Sequence, residues 1–403
     1  MFVLPRPRVL PAAAEVIRRP LARAAALFSV MVLAACQPGE PTASGSQTGP
    51  MIDPAQPVQV ALLVPGGSGD GNYDFIARSM ANGARMAVAD AQGARIDLRV
   101  YDYGDDAGRA VAQANKAVAD GAKIIVGPLH AESANAVGNA VRGKVNVLSF
   151  SNNADIAGGN VFVLGNTFGN TADRLVSYGV RQGLRRFLIV NENDQAGQIG
   201  GAAIEGAIAR NRATMVGKTG HGLSRAEMDR VAPTIAQAAA ANKAQAIFLT
   251  GNQGAVLPEI AAALAQVGLT SQSIQMMGLT RWDVPASRQT LPQLQNGWFA
   301  VPDLGRMAQF NARYRAAYGE APHDFAALAY DGVSAVAANV RAGRKNAVTT
   351  AGLTNGAGFA GVQGAFRLRP DGTNQRQLSI ATLQGGKVVI VDPARTSFGG
   401  FGL

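Results

Sequence analysis

The chain has 403 residues, 47% hydrophobic and 16% charged, enough apolar content for a sizeable core and too much for a disordered tail. Its formal charge of +10 falls to +6 once residues 1–35 are set aside, and the remaining basic residues are dispersed without interleaved aromatics, so nothing favours nucleic acid as a partner. Aromatics are only 6% while Gly numbers 48, so the core is expected to use Ala, Val, Leu and Ile in close helix-to-sheet contacts, as in an α/β protein.

The first element is an Arg-bearing stretch through Arg23, then an apolar run from Ala24 to Ala35, then Cys36, the single cysteine. The run is too short for a permanent membrane span and reads as a targeting segment over residues 1–35. Leu33-Ala34-Ala35-Cys36 resembles the bacterial lipobox, whose cysteine is acylated and becomes the new N-terminus. The resemblance implies lipidation at Cys36 and membrane contact through the lipid. Gln37 in place of an Asp implies the outer membrane, with the body facing the periplasm. Residues 36–57, rich in Pro, Gly, Ser and Thr, read as lipidated Cys36 and a flexible tether.

From 58 onward apolar, β-rich runs alternate with helical patterns. Strands are predicted at 58–65, 95–103, 123–128, 145–152 and 161–166, with a helix in which Ile76, Met80, Gly83 and Ala87 recur at helical spacing and further helices over 107–120 and 131–142. A second series follows, with strands at 185–193, 214–220, 244–251 and 273–280 between helices at 171–182, 197–211, 225–241 and 254–267. Near-continuous apolar strands alternating with helices predict parallel sheets covered on both faces. After 290 come a strand at 297–303, helices near 305–318 and 323–342, a β segment at 364–372, and a hairpin over 377–392 turning at Gly385-Gly386. Residues 393–403 are expected to be a loose tail.

In open parallel sheets, ligands sit beyond the C-terminal strand ends, so the loops there are the candidate site. In PGGSGDGN (65–72) the P-loop Lys is missing, G-x-G-x-x-G does not fit, and Asp70 breaks G-x-S-x-G. Ser68 is either a polar ligand contact or part of a tight turn. His130, Glu132 and Ser133 surround a helix start, with Ser151, Asn152 and Asn153 after the next strand; all are ligand candidates or caps. The second series offers Asp194, Gln195, Thr250, Asn252, Thr280, Trp282 and Asp283. Trp282 either stacks on a ligand ring or packs internally. Asp105 or Asp106 is expected to cap the helix from 107. The three histidines, His130, His221 and His323, show no metal-binding or Cys-His spacing, so no catalytic residue, metal or cofactor is expected.

The ordered series VALLVPGGSGDGNYDFIARSMANGARMAVAD, IIVGPLHAESANAV, VNVLSFSNNAD, RFLIVNENDQAG and AYDGVSAVAANV resembles the type I periplasmic-binding fold in its leucine/isoleucine/valine-binding branch. The resemblance implies two doubly wound α/β lobes joined by three crossovers. Lobe one would span 58–166 and 300–375, and lobe two 167–299 and 376–392. Amino-acid binders of this family hold ligand with a serine, a threonine, a tyrosine and an acid, positions that Ala131, Asn153, Ala196 and Thr280 take here. Either Asp283, Asp194 or Glu132 replaces the acid, or the cleft does not take α-amino acids.

The lipid anchor and residues 161–183 (VFVLGNTFGNTADRLVSYGVRQG) further resemble the penicillin-binding-protein activators, outer-membrane lipoproteins that regulate peptidoglycan synthesis. That resemblance implies a class A penicillin-binding protein as partner and a non-enzymatic role. The alternative is a solute-binding subunit of an ABC importer for a small polar ligand such as an amino acid, of branched-chain type, or an amide.

Overall fold

The computed structural model describes residues 48–251 and 254–398. The targeting segment and Cys36 lie outside the described residues. Five parallel strands form the first sheet: β1 Val58–Val64, β2 Ile96–Asp102, β3 Ile124–Val126, β4 Asn146–Ser149 and β5 Val161–Val163, in the order β2-β1-β3-β4-β5. Every residue of β1, β3, β4 and β5 is buried, the pattern of a sheet covered on both sides. On one face lie α1 (Gly71–Asp90) and a later helix from Phe325; on the other lie α2 (Ala107–Ala119) and α3 (Ala131–Ala140). Asp106 caps α2 through the Arg109 amide at 2.6 Å.

The second sheet contains β6 Arg186–Glu192, β7 Thr214–His221, β8 Ala246–Leu249, β9 Gln275–Gly278 and β10 Trp298–Val301, all parallel. Here the parallel expectation needs one amendment. β13 (Ser379–Gln384) and β14 (Lys387–Asp392) form the hairpin turning at Gly385-Gly386 and join β10 antiparallel, giving a seven-stranded mixed sheet in the order β14-β13-β10-β9-β8-β6-β7. Helices α4 (Phe168–Arg181), α5 (Gln195–Arg210), α6 (Arg225–Ala241) and α7 (Val256–Gln266) cover its faces.

Three short crossings connect the sheets: 164–167 between β5 and α4, 302–303 between β10 and α8 (Leu304–Tyr318), and 377–378 before β13. Helices α8 and α9 (Phe325–Arg341) return to the first lobe, where Gly83 of α1 faces the Ala326 carbonyl so closely that any β-carbon would overlap it. A two-stranded ribbon, β11 (Phe366–Leu368) with β12 (Asn374–Arg376), precedes the third crossing.

Ends of the folded body differ from the sequence expectation. Within the stretch read as tether, Ile52 is buried in the first core and Asn146 Nδ2 donates to the Thr48 carbonyl at 3.0 Å, while Met51, Asp53 and Ala55 to Pro57 are exposed. Past β14, the Ala394 amide donates to Ser379 Oγ at 2.9 Å, and Arg367 lies over the Phe398 ring, so the tail is held at least that far.

Candidate functional site

Between the lobes, a cavity of about 800 Å³ opens where the parallel strands end. Loops after β3, β4 and β5 supply Leu129 to Ala131, Phe150 to Asn153, and Gly165 with Asn166. The first turns of α1 and α9 add Asn72, Tyr73, Ile76, Asp324, Phe325 and Leu328. Lobe two contributes Phe168 and Thr171 of α4, Leu279 to Arg281 after β9, Ala300 on β10, and Leu378. Apolar side chains dominate this wall, the usual make-up of a small-molecule site.

Polar side chains are interspersed along it, Arg281 and Asp324 among them. His130 is the N-cap of α3 but makes no side-chain cap bond, so the first amides of that helix have no side-chain acceptor, and His130 and Ala131 line the cavity. The His130 imidazole meets the Tyr73 ring edge-on at 5.7 Å, and its Nε2 stands 3.6 Å from Asp105 Oδ1. Asp105 beside the Tyr73 hydroxyl holds that phenol above its usual range. Asn166 donates from Nδ2 to Thr171 Oγ1 at 3.1 Å, while its buried Oδ1 has no partner among the described residues. Arg281 enters from lobe two with Nε on Asp283 Oδ1 at 2.8 Å and Nη2 on Asp283 Oδ2. Asp324 is the one carboxylate in the lining, and it is exposed.

Of the residues singled out from sequence, His130, Ser151, Asn152, Asn153 and Thr280 line this cavity. Ser151 accepts from the Asn153 amide at 3.1 Å, Asn153 caps the turn Ala154–Ile156, and Thr280 donates to the Gly251 carbonyl at 2.7 Å. Ala131 lines it too, whereas Ala196 faces an adjoining cavity of about 620 Å³ that shares Asn152, Asn153 and Phe168.

The others lie elsewhere. Ser68 sits exposed in a turn, its Oγ accepting from the Asp70 amide at 3.1 Å, while Asp70 caps α1. Glu132 points to solvent and Ser133 is buried in the packed face of α3. Asp194 caps α5 through the Gly197 amide at 2.7 Å, and Gln195 is exposed beside it. Thr250 is buried and accepts from the Glu192 amide at 3.1 Å. Asn252 lies outside the described residues.

Trp282 is a core residue and not a stacking platform. It is wholly buried against Phe299, with centroids 6.2 Å apart, and a β-carbon at Gly278 or Gly297 would overlap the indole. Those two glycines are the sequence signal for this slot, since only a missing side chain on each strand admits so large a ring. Asp283 is buried and spends its carboxylate on Arg281, so it does not stand free to meet a ligand ammonium. Tyr73, Asn166, Phe168, Arg281, Asp324 and Phe325 line the cavity without any local sequence signal to mark them, except that Arg281 lies between Thr280 and Trp282.

Two lobes, three crossings and a cleft at the strand ends define a hinged ligand-binding protein of the type I class. A sequence profile described as periplasmic binding protein matches residues 57–387, and the chain belongs to that family. No curated protein sequence matches. Among solved structures, a branched-chain amino acid ABC transporter periplasmic ligand-binding protein from Burkholderia xenovorans is 18% identical with TM-score 0.64, covering 84% of this chain and 96% of its own. A Desulfitobacterium hafniense ABC transporter substrate-binding protein in complex with Leu is 19% identical with TM-score 0.59, covering 83% and 100%. A solute-binding protein from R. palustris in complex with benzoate is 19% identical with TM-score 0.53, covering 86% and 98%. At these identities the likeness is one of fold. Among the described residues no helix is long and apolar enough to cross a membrane, and no group of three or more His, Cys, Asp and Glu could hold a metal.

Proposed function

We propose that this protein is a solute-binding subunit of an ABC importer, acting in the periplasm, whose ligand is a small organic carboxylate with an apolar body, of the branched-chain amino acid class. The observation that carries this reading is the apolar cavity with the uncapped start of α3 and His130 on one lobe and Arg281 on the other. A ligand carboxylate reaching both sides gains charge-assisted hydrogen bonds from each lobe and favours closure. The relatives that hold leucine and benzoate support the same chemistry. Lipid anchoring through Cys36 belongs to this reading as the device that keeps the body at a membrane. The activator reading keeps only the resemblance of 161–183 and the anchor, and the importer reading has the support of the relatives' own descriptions.

Asp324 decides between an amino acid and a plain carboxylate, because it is the one lining acid able to meet an ammonium. Asp324→Asn is expected to weaken leucine about tenfold while leaving its deaminated analogue, 4-methylpentanoate, within about twofold. Calorimetric titration of both ligands checks this; equal loss for both would remove Asp324 from the site.

A further inference from the structure

A second recess, of about 530 Å³, lies at the hinge, away from the cleft lining. Lobe two supplies Arg174 and Arg181 on α4, Arg210 ending α5, and Arg395 after β14; the β11–β12 ribbon supplies Arg369 across the third crossing. Against these five guanidinium groups stand two lining carboxylates, Asp173 and Asp392. Asp392 is shared by Arg174 (2.8 Å) and Arg181, and Asp173 takes Arg210 at 2.9 Å. Arg369 and Arg395 have no ion pair among the described residues. Arg376, also in the lining, is neutralised by Asp331 behind it.

Three positive charges are therefore uncompensated in one concave site, and Arg174 adds to their cost because its side chain is only 13% exposed. Arginine forks match oxyanions, and several of them converging from different elements call for acceptors pointing in several directions. A phosphate chain offers this with two or more charges; a single carboxylate does not. The recess also bridges separate elements: Arg174 Nε donates to the Leu378 carbonyl at 2.6 Å on the third crossing, and Asn170 Nδ2 donates to Asn374 Oδ1 of the ribbon at 2.6 Å.

We propose that this hinge recess binds a compact multivalent phosphate, which joins the Arg369 ribbon to the arginines of lobe two. The recess shares no lining residue with the cleft, and the proposal stands whether or not the cleft takes carboxylates. The test is calorimetric titration of the full chain with inorganic pyrophosphate and with tripolyphosphate at about 0.1 M salt, where unspecific surface attraction is screened. Saturable one-to-one binding is expected, about tenfold weaker in Arg369→Ala and in Arg395→Ala and unchanged in Arg230→Ala, an exposed arginine on α6 outside the recess. Both test residues make no ion pair among the described residues, and unchanged melting temperatures without phosphate verify that the variants fold. Absence of saturable binding in the wild type, or the same loss in Arg230→Ala as in the recess variants, would overturn the proposal.

Discussion

Asp331→Ala is expected to cost about 3–5 kcal/mol of folding stability, because it strips the counter-charge from a buried arginine. Asp331 on α9 and Arg376 on β12 are both wholly buried, with Arg376 Nη1 on Asp331 Oδ2 at 3.0 Å. The second carboxylate oxygen accepts from the Val362 amide at 2.6 Å, and Arg376 Nη2 donates to the Leu164 carbonyl at 3.0 Å. Removing the acid leaves a guanidinium in the core with no counter-charge, and its Nε already lacks a partner among the described residues. The damage reaches the hinge. Arg376 donates to the Leu164 carbonyl at the start of the first crossing, beside Asn374, which donates to the Val163 and Gly165 carbonyls, so loss of Asp331 loosens one of these holds. Urea unfolding of Asp331→Ala against wild type measures the cost. The pair Asp331→Leu with Arg376→Met should recover at least half of it, because an apolar replacement of similar volume has no buried charge left to neutralise. A single change costing under about 1 kcal/mol would show that the pair adds little beyond packing.

Arg281→Met should weaken a carboxylate ligand by about 1.5–3 kcal/mol, roughly ten- to a hundredfold. Two effects act in one direction. The ligand loses its cation on lobe two, and Asp283, whose side chain is 6% exposed, is left as an uncompensated negative charge behind the cavity wall. Asp283→Asn separates them: it keeps the guanidinium, removes the competing carboxylate, and should tighten binding. Titration of the two variants with the same ligand measures both. Unaltered affinity in Arg281→Met would place the carboxylate wholly on the α3 side.

Much of the fold was open to reading in the chain because buried parallel strands are nearly continuous apolar runs, as in VQVALLV and VFV, and helices between them recur at a regular length. The ribbon strand β12 was not. Asn374, Gln375 and Arg376 look like a polar loop, yet two of them are buried, because their partners come from residues some two hundred positions earlier and from α9. The candidate site divides in the same manner. Loops after β3, β4 and β9 follow from sheet topology, and their residues line the cleft. Phe168 and Phe325 reach it from helix starts far apart in sequence, which no local pattern reveals. Trp282 failed as a ligand platform because its slot is made by Gly278 and Gly297, one on each neighbouring strand segment, and a ring of that size stays buried once both side chains are absent.

Whether the interlobe cavity holds a small carboxylate with an apolar body is tested most directly by isothermal titration of the purified chain with leucine, isoleucine, valine, 4-methylpentanoate and benzoate. One-to-one binding of at least one of these is expected at about micromolar Kd or tighter, weakened about ten- to a hundredfold in Arg281→Met. No saturable binding by any of the five up to about 1 mM would contradict it.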